Sequence, residues 1–420
     1  MNNICNKYDI CIIGGGASGM IAAITAAKTG ASVLVFETNS DLGHKILATG
    51  NGKCNFTNSD INAKAYHDYN YDFFESIYCQ FDHKKTIEFF KQLGVWPDAK
   101  GDLYYPRNME ASSIRNSLVN ELNRLNVDVI FERKIKDITY DEKDSIFIID
   151  NNIKNREAVI CKAIIIATGG NVSKIPGSNG DGFYYASKLG HNIIQPNPAL
   201  SKIILKDNKL KSASGVRCKC KIDTFINNKL KESHNGELQI TTEGISGIVV
   251  FQSSREIAKA INRKLDNYLV LDFIPEYSKI DLKNIIEDKI NLGFDLSDVL
   301  KGLLPNKLSD VFLKELNYYN KNISNNEELS LFLENVISIL KEYKVIPSSV
   351  DKDIAQVTTG GVDVTELDCN TLESKIMPGI YFAGEVVDVD GICGGYNLQW
   401  AWSSGYVAGL HAAKSIGFND

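Results

Sequence analysis

The chain has 420 residues with 46 Lys+Arg against 52 Asp+Glu, a formal net charge of −6, and is 44% hydrophobic, 9% aromatic and 23% charged. This composition excludes wholesale disorder, and the acidic balance excludes a global field for nucleic acid, leaving only a local basic patch open. At roughly 150 residues per domain, the length predicts two to three domains.

In chain order, Tyr8–Ile13 is a short apolar run of buried-strand type. Ser18–Thr29 is alanine-rich and helical, with Gly30 as its stop, and Ser32–Glu37 is a second buried strand. Together they predict a βαβ unit. Lys85–Leu93 and Ala111–Leu125 read as amphipathic helices, Val127–Phe131 and Ile146–Ile149 as strands, and Ala163–Ala167 as a third buried strand ending in Thr168-Gly169-Gly170. After Pro196-Asn197-Pro198, the stretch from Lys202 to Phe273 alternates in the manner of short strands. From Lys279 to Lys344 the text turns helical, interrupted only by Pro305, and then returns to strand-and-glycine text and a closing helix from about Asn397 to Ile416. The expected architecture is one α/β domain built from both chain ends, 1–195 and 346–420, with a β-rich piece (196–275) and a helical piece (276–345) inserted.

The nine cysteines are odd in number, scattered and without a CxxC pair, which predicts thiols in a reducing, cytoplasmic compartment and no metal centre. Cys218 and Cys220 read as two thiols on one strand face. Two uncharged stretches, 10–27 and 391–410, are too rich in glycine and polar residues to be a signal peptide or a membrane span.

The strongest chemical signal is Gly14-x-Gly16-x-x-Gly19, set directly after a strand and opening a helix. The first glycine permits the tight turn, the second lets backbone approach a pyrophosphate, and the third lets helix pack on sheet with its positive end toward the phosphates. Glu37 closes the second strand where an acid takes a ribose hydroxyl bond, which favours FAD or NAD over NADP. A second fingerprint for a nicotinamide nucleotide is absent; Gly177-Ser-Asn-Gly180-Asp-Gly182 follows a proline loop and reads as turns. Thr168-Gly169 and Ala383-Gly384-Glu385 each end a hydrophobic strand in small residues, which suits an extended FAD lying across both chain ends.

The segments GGGASG, KILATGNGKCNFTN (45–58), IIIATGG, TTEGISG (241–247), TTGGVD and YFAGEVVDVDGICGGYNLQWAWSSGYVAG (381–409) resemble the BaiN/RdsA-like family of NAD(P)/FAD-dependent oxidoreductases, which includes an aminoacetone oxidase branch. The resemblance runs from residue 8 to about 413. It implies a Rossmann-like FAD-binding domain of glutathione-reductase type with inserted β-barrel-like and helical subdomains. Carried over position by position, it implies that Gly14, Gly16, Ala17, Ser18 and Gly19 hold the pyrophosphate and Glu37 with Thr38 the adenosine ribose. Lys45, Gly52, Lys53, Cys54 and Asn55 would line the ribityl and flavin side, and Ile135, in a strand after Arg133, would offer backbone bonds to the adenine. Thr168, Gly169, Gly384, Glu385 and Asp388 would meet the pyrophosphate and ribityl chain. The Asn397-Leu398 turn would aim helix N–H groups at the flavin pyrimidine, stabilising negative charge there.

Cys393, Tyr396 and Arg107 are the candidates for catalysis near the ring, and His191 reads as a packing or capping histidine. The resemblance implies hydride transfer through flavin N5, with NAD(P)H as transient electron donor. Three substrate classes follow from it: an activated C=C bond of a bile-acid enone, which leads; aminoacetone oxidised by O2; and uridine of 23S ribosomal RNA. A small-molecule partner is expected, with no membrane; for RNA, Lys202–Lys211 and Lys211–Lys221 with Arg217 would have to supply a basic patch.

Overall fold

The computed structural model describes residues 7–67, 71–150, 158–173, 178–320 and 326–419. Cys5 and Gly177 lie outside the described residues. The chain divides into two compact units, one formed by the residues up to Pro196 together with Val357 onward, the other by Asn197–Gln356.

The first unit is built on a seven-stranded sheet. Asp128–Ile130, Val33–Phe36, Lys7–Ile13, Val159–Ile166 and Ile380–Phe382 lie side by side, all parallel. Their residues are apolar on both faces, as a sheet covered on both sides requires; all four of Val33–Phe36 are buried. Val159–Ile166 shares its far edge between two partners. Its first half pairs antiparallel with Ile146–Asp150, which pairs in turn with Asp137–Asp141, and its second half pairs with Ile380–Phe382. The register aligns the carboxyl ends: Ile13 lies opposite both Phe36 and Ile166, and Ile166 opposite Phe382. The loops that begin at Gly14, Thr168 and Ala383 therefore leave the sheet along one edge, the edge at which open α/β sheets bind ligands.

Helix Ala17–Lys28 follows the first strand. It is crossed by the 20-residue C-terminal helix Tyr396–Ser415 at glycine positions. A Cβ on Gly405 would lie 2.4 Å from the Ser18 carbonyl oxygen, and one on Gly409 2.4 Å from that of Ala22. The pairing of 405 with 18 and 409 with 22 keeps step over one turn on each helix, so the two backbones touch. The stretch 391–410 carries no charge because most of it is buried in this crossing, and among the described residues no helix is long and apolar enough to cross a membrane.

Ile135 lies outside the described strands, correcting the strand expected there. The segment follows the edge of the sheet instead: Glu132 and Arg133 donate their N–H groups to the carbonyls of Asn39 and Glu37, and the Ile135 carbonyl accepts the Tyr185 hydroxyl at 2.6 Å.

The second unit contains a seven-stranded antiparallel sheet whose two end strands are Tyr343–Val345 and Pro347–Val350. A single residue, Ile346, joins those ends, so the sheet has to curl around to bring its edges together, which gives the barrel-like form. The strands alternate inward and outward: Cys220, Ile222 and Thr224 are buried between exposed or half-buried neighbours. The 15-residue helix Ile248–Asn262 interrupts the stretch read as strands. The strand-rich residues and the helices Lys279–Asn291, Leu296–Leu303, Asn306–Glu315 and Asn326–Lys341 contribute to one hydrophobic cluster extending from Ile203 to Val345.

Candidate functional site

The three fingerprint glycines answer different demands. Gly14 has φ +108°, and a Cβ there would sit 2.5 Å from the Ala167 carbonyl oxygen, so the first loop lies directly on the third. A Cβ on Gly19 would fall 1.9 Å from the Gly14 oxygen. Gly16 is different: a Cβ there would meet nothing within 4 Å. It precedes the helix without a side-chain cap, leaving an open cradle before helix N–H groups. Ala17, partly exposed, opens the helix beside that cradle, while Ser18 is turned inward and donates to the Ala383 carbonyl at 3.3 Å.

Glu37 is buried at the end of its strand. One carboxylate oxygen accepts from the Gly15 N–H at 2.9 Å; the other accepts from the Asn39 N–H at 2.8 Å and the Thr38 hydroxyl at 3.3 Å. A carboxylate has about four acceptor positions, so the oxygen on Gly15 retains capacity for a hydroxyl donor.

Glu385 joins three other segments. It pairs with Lys45 and accepts from the Thr358 N–H at 2.8 Å, and a Cβ on Gly170 would press on both Thr358 and Glu385. The Gly384 N–H donates to the Ser404 hydroxyl oxygen at 2.9 Å. Asp388 accepts from the Gly360 N–H at 2.8 Å. Thr168 and Gly169 leave the third strand, with Gly169 at φ +73° and open space where its Cβ would be.

The 49–55 loop is a left-handed run, with Gly50, Asn51, Gly52 and Cys54 all at positive φ. Lys53 is exposed. Cys54 is wholly buried, and burial pushes its thiol up to about 12. Asn55 abuts Gly395, whose left-handed backbone precedes the C-terminal helix. Gln399 is the first residue to close onto the Gly395 carbonyl, so the N–H groups of Tyr396, Asn397 and Leu398 face out of the helix end. The Asn397 side chain is engaged elsewhere, clamping both the N–H and the carbonyl of Gly391 at 2.8 Å.

Among the catalytic candidates, burial raises the Cys393 thiol, which lies near Tyr105. Tyr396 is buried and its hydroxyl donates to the Asp60 carbonyl at 3.3 Å. Arg107 is exposed in an open groove of about 610 Å³ with Gly94, Trp96 and Ser113. His191 spans Glu366 at 3.1 Å and the Ser374 hydroxyl at 2.9 Å, a structural tie.

Sequence reasoning passed over Gln399. It is fully buried, its amide NH₂ within bonding distance of the Phe81 carbonyl, Thr86 and Ser403, and its carbonyl accepts the Thr57 hydroxyl at 2.6 Å. A glutamine buried in a helix flanked by tryptophans was the available signal, since such an amide needs several partners.

A family model described as HI0933-like protein Rossmann domain matches residues 8–411. The chain belongs to this family. As an HI0933-like protein it is 37% identical to 3-dehydro-bile acid delta(4,6)-reductase of Clostridium scindens, over 96% of this chain and 99% of that one. It is 30% identical to ribosomal RNA dihydrouridine synthase of Escherichia coli, over 97% and 99% respectively. A flavocytochrome c3 fumarate reductase in its open conformation shares the fold, with TM-score 0.50 and 14% identity over 98% of this chain and 79% of that one. The HI0933-like chain is an FAD-dependent oxidoreductase with a Rossmann-type fold.

The residues present fit that cofactor. The Gly16 cradle is open, and Asn55 Oδ1, Thr168 Oγ1 and Thr359 Oγ1, in three of the segments named above, are buried without a partner among the described residues. Buried polar atoms are ordinarily satisfied, so these await hydrogen-bonding groups from outside the chain.

Proposed function

We propose that this flavoenzyme reduces an activated C=C bond of a small conjugated ketone, with NAD(P)H as electron donor. The observation carrying the reading is the full-length, 37% identity to a reductase of 3-dehydro bile acids. When bound, FAD supplies hydride transfer through its N5.

The chain's own residues do the rest. Gly14, Gly16, Ala17, Ser18 and Gly19 hold the pyrophosphate against the helix N–H groups, and Glu37 with Thr38 takes the adenosine ribose. The N–H of Ile135 is offered to the adenine. Thr168, Gly169, Gly384, Glu385 and Asp388 meet the phosphates and ribityl chain. Lys45, already paired with Glu385, fixes the loop carrying Gly52, Lys53, Cys54 and Asn55 beside the ring. The helix end at Asn397-Leu398 presents positive charge to the pyrimidine side of the ring. Cys54 and Cys393 stay neutral thiols there, as burial dictates.

A ribosomal RNA substrate is the second reading, favoured by the relatives that modify RNA. Five of the cations that would bind phosphate are already paired with acids, which weakens it. Lys202 pairs with Glu243 and Asp351, Lys209 with Glu315, Arg217 with Glu237, Lys219 with Glu276 and Lys221 with Asp223. Oxidation of aminoacetone by O2 is the third.

Anaerobic stopped-flow of the yellow protein separates them. Bleaching by NADH or NADPH, followed by reoxidation with a 3-oxo-Δ4,6 bile acid, is expected. Bleaching by aminoacetone alone would overturn the reading, and salt-sensitive retention on ribosomal RNA with no turnover of the dienone would transfer it to RNA.

A further inference from the structure

A file of aromatic rings runs through the first unit from the candidate cofactor loops toward solvent. Trp400 is buried, and its indole N–H donates to the Gly384 carbonyl at 3.0 Å. Its ring lies 6.2 Å from Phe74. Phe74 stacks on Tyr66 at 3.9 Å and on Tyr78 at 5.3 Å, the latter with planes 15° apart. Tyr66 meets Tyr396 edge-on at 6.0 Å. Tyr78 stacks beside His83 at 6.4 Å with planes 18° apart, and its hydroxyl is 2.6 Å from His83 Nδ1. Both residues of that pair are partly exposed, whereas the rings behind them are buried.

We propose that Trp400, Phe74 and the Tyr78–His83 pair form a discharge path that carries an oxidising equivalent from the cofactor loops to the surface. The geometry supplies both halves of the required step. Trp400 has a backbone carbonyl as its hydrogen-bond partner, which cannot take a proton, so loss of one electron leaves a buried radical cation. Tyr78 has a base in place. Its oxygen accepts the His83 backbone N–H at 3.5 Å, which turns its own proton toward Nδ1. Burial lowers the His83 pKa and raises that of Tyr78 to about 12, so before oxidation the proton rests on the phenol and the imidazole is free to receive it.

The step balances. One electron passes from Tyr78 through the Phe74 stack to the Trp400 radical cation, restoring the indole, and the phenol proton passes to His83 Nδ1. The products are a neutral phenoxyl radical and an imidazolium, and the positive charge has moved from the core to a solvated histidine. The initiating species is a one-electron oxidant, such as a radical derived from dioxygen. The assignment rests on ring geometry and stands whether or not the enone reading holds.

The test is ultraviolet laser photoionisation of tryptophan in the purified full-length protein, with nitrous oxide scavenging the ejected electrons. A Trp96→Phe background removes the exposed indole. Decay of the tryptophan radical with matched, concentration-independent growth of phenoxyl absorption is expected, slower in D2O because a proton moves with the electron. Tyr78→Phe should abolish the growth, Phe74→Leu should slow it, and His83→Gln should remove the D2O effect. Trp400→Phe should eliminate the signal and Trp402→Phe should not. Near-ultraviolet circular dichroism selects variants that keep the native fold. Phenoxyl growth that survives in folded Tyr78→Phe, or that follows Trp402, overturns the proposal.

Discussion

Gly16 and Gly19 stand three residues apart under opposite constraints. A methyl on Gly19 collides with the Gly14 carbonyl, so Gly19→Ala should fail to fold or unfold at much lower temperature. A methyl on Gly16 meets open space, so Gly16→Ala should leave the apoprotein within about 1 kcal/mol of the parent while weakening FAD retention, because the methyl occupies the cradle. Flavin-fluorescence titration beside thermal unfolding of the apoprotein checks both; equal FAD affinity in Gly16→Ala would remove the pyrophosphate from this loop. Gln399→Ala strands buried partners at Thr57, Thr86 and Phe81, and should cost about 2–3 kcal/mol in denaturant unfolding. His191 gives a pH prediction. Burial lowers its pKa from 6.5, so the unfolded chain binds the proton more readily and stability should fall as pH drops below about 6.5. His191→Gln should flatten that part of the profile, measured by urea midpoints. The fingerprint was legible because its three glycines keep a fixed spacing directly after a strand and at the start of a helix. Gln399 was not, since its partners Thr57, Phe81 and Thr86 lie more than 300 residues away.

At the scale of elements, the crossing of helices 17–28 and 396–415 depends on Gly405 and Gly409. Gly409→Val should force the helices apart, costing about 2–3 kcal/mol, and should loosen FAD as well, because Ser18 and Gly384 are packed beside the crossing. Its unfolding midpoint and FAD dissociation constant should shift together. The first βαβ unit and the closing helix could be read from periodicity alone. Helix 248–262 could not, because its opening Ile-Val-Val reads as strand and only its packing shows the helical face. Ile135 was placed in a strand by the resemblance alone; the charged text around it, Glu132-Arg133-Lys134-Ile135-Lys136, carries no strand pattern. The barrel closure rests on two three- and four-residue strands on either side of Ile346, too short to carry a pattern.

At the scale of the molecule, each unit has its own hydrophobic cluster. Calorimetry should resolve two transitions, and added FAD should raise only the one belonging to residues 1–196 and 357–420, since a ligand stabilises what it binds. A shift of both would mean that the units melt as one. The break at Pro196 was visible as a change in composition, whereas the shared core of the strands and helices in 197–356 arises from contacts between residues far apart in sequence. The backbone contact between Gly405 and Ser18 also has a consequence for biosynthesis. At about 5–20 residues per second, a ribosome makes the fingerprint helix roughly 20–80 s before its partner emerges. Through that interval the apolar face of 17–28 and the open edge of 159–166 have no native cover. The nascent chain is therefore a natural client for chaperones, and a cofactor that needs the loop at Gly384 and the helix end at Asn397 can be acquired only after both have been made.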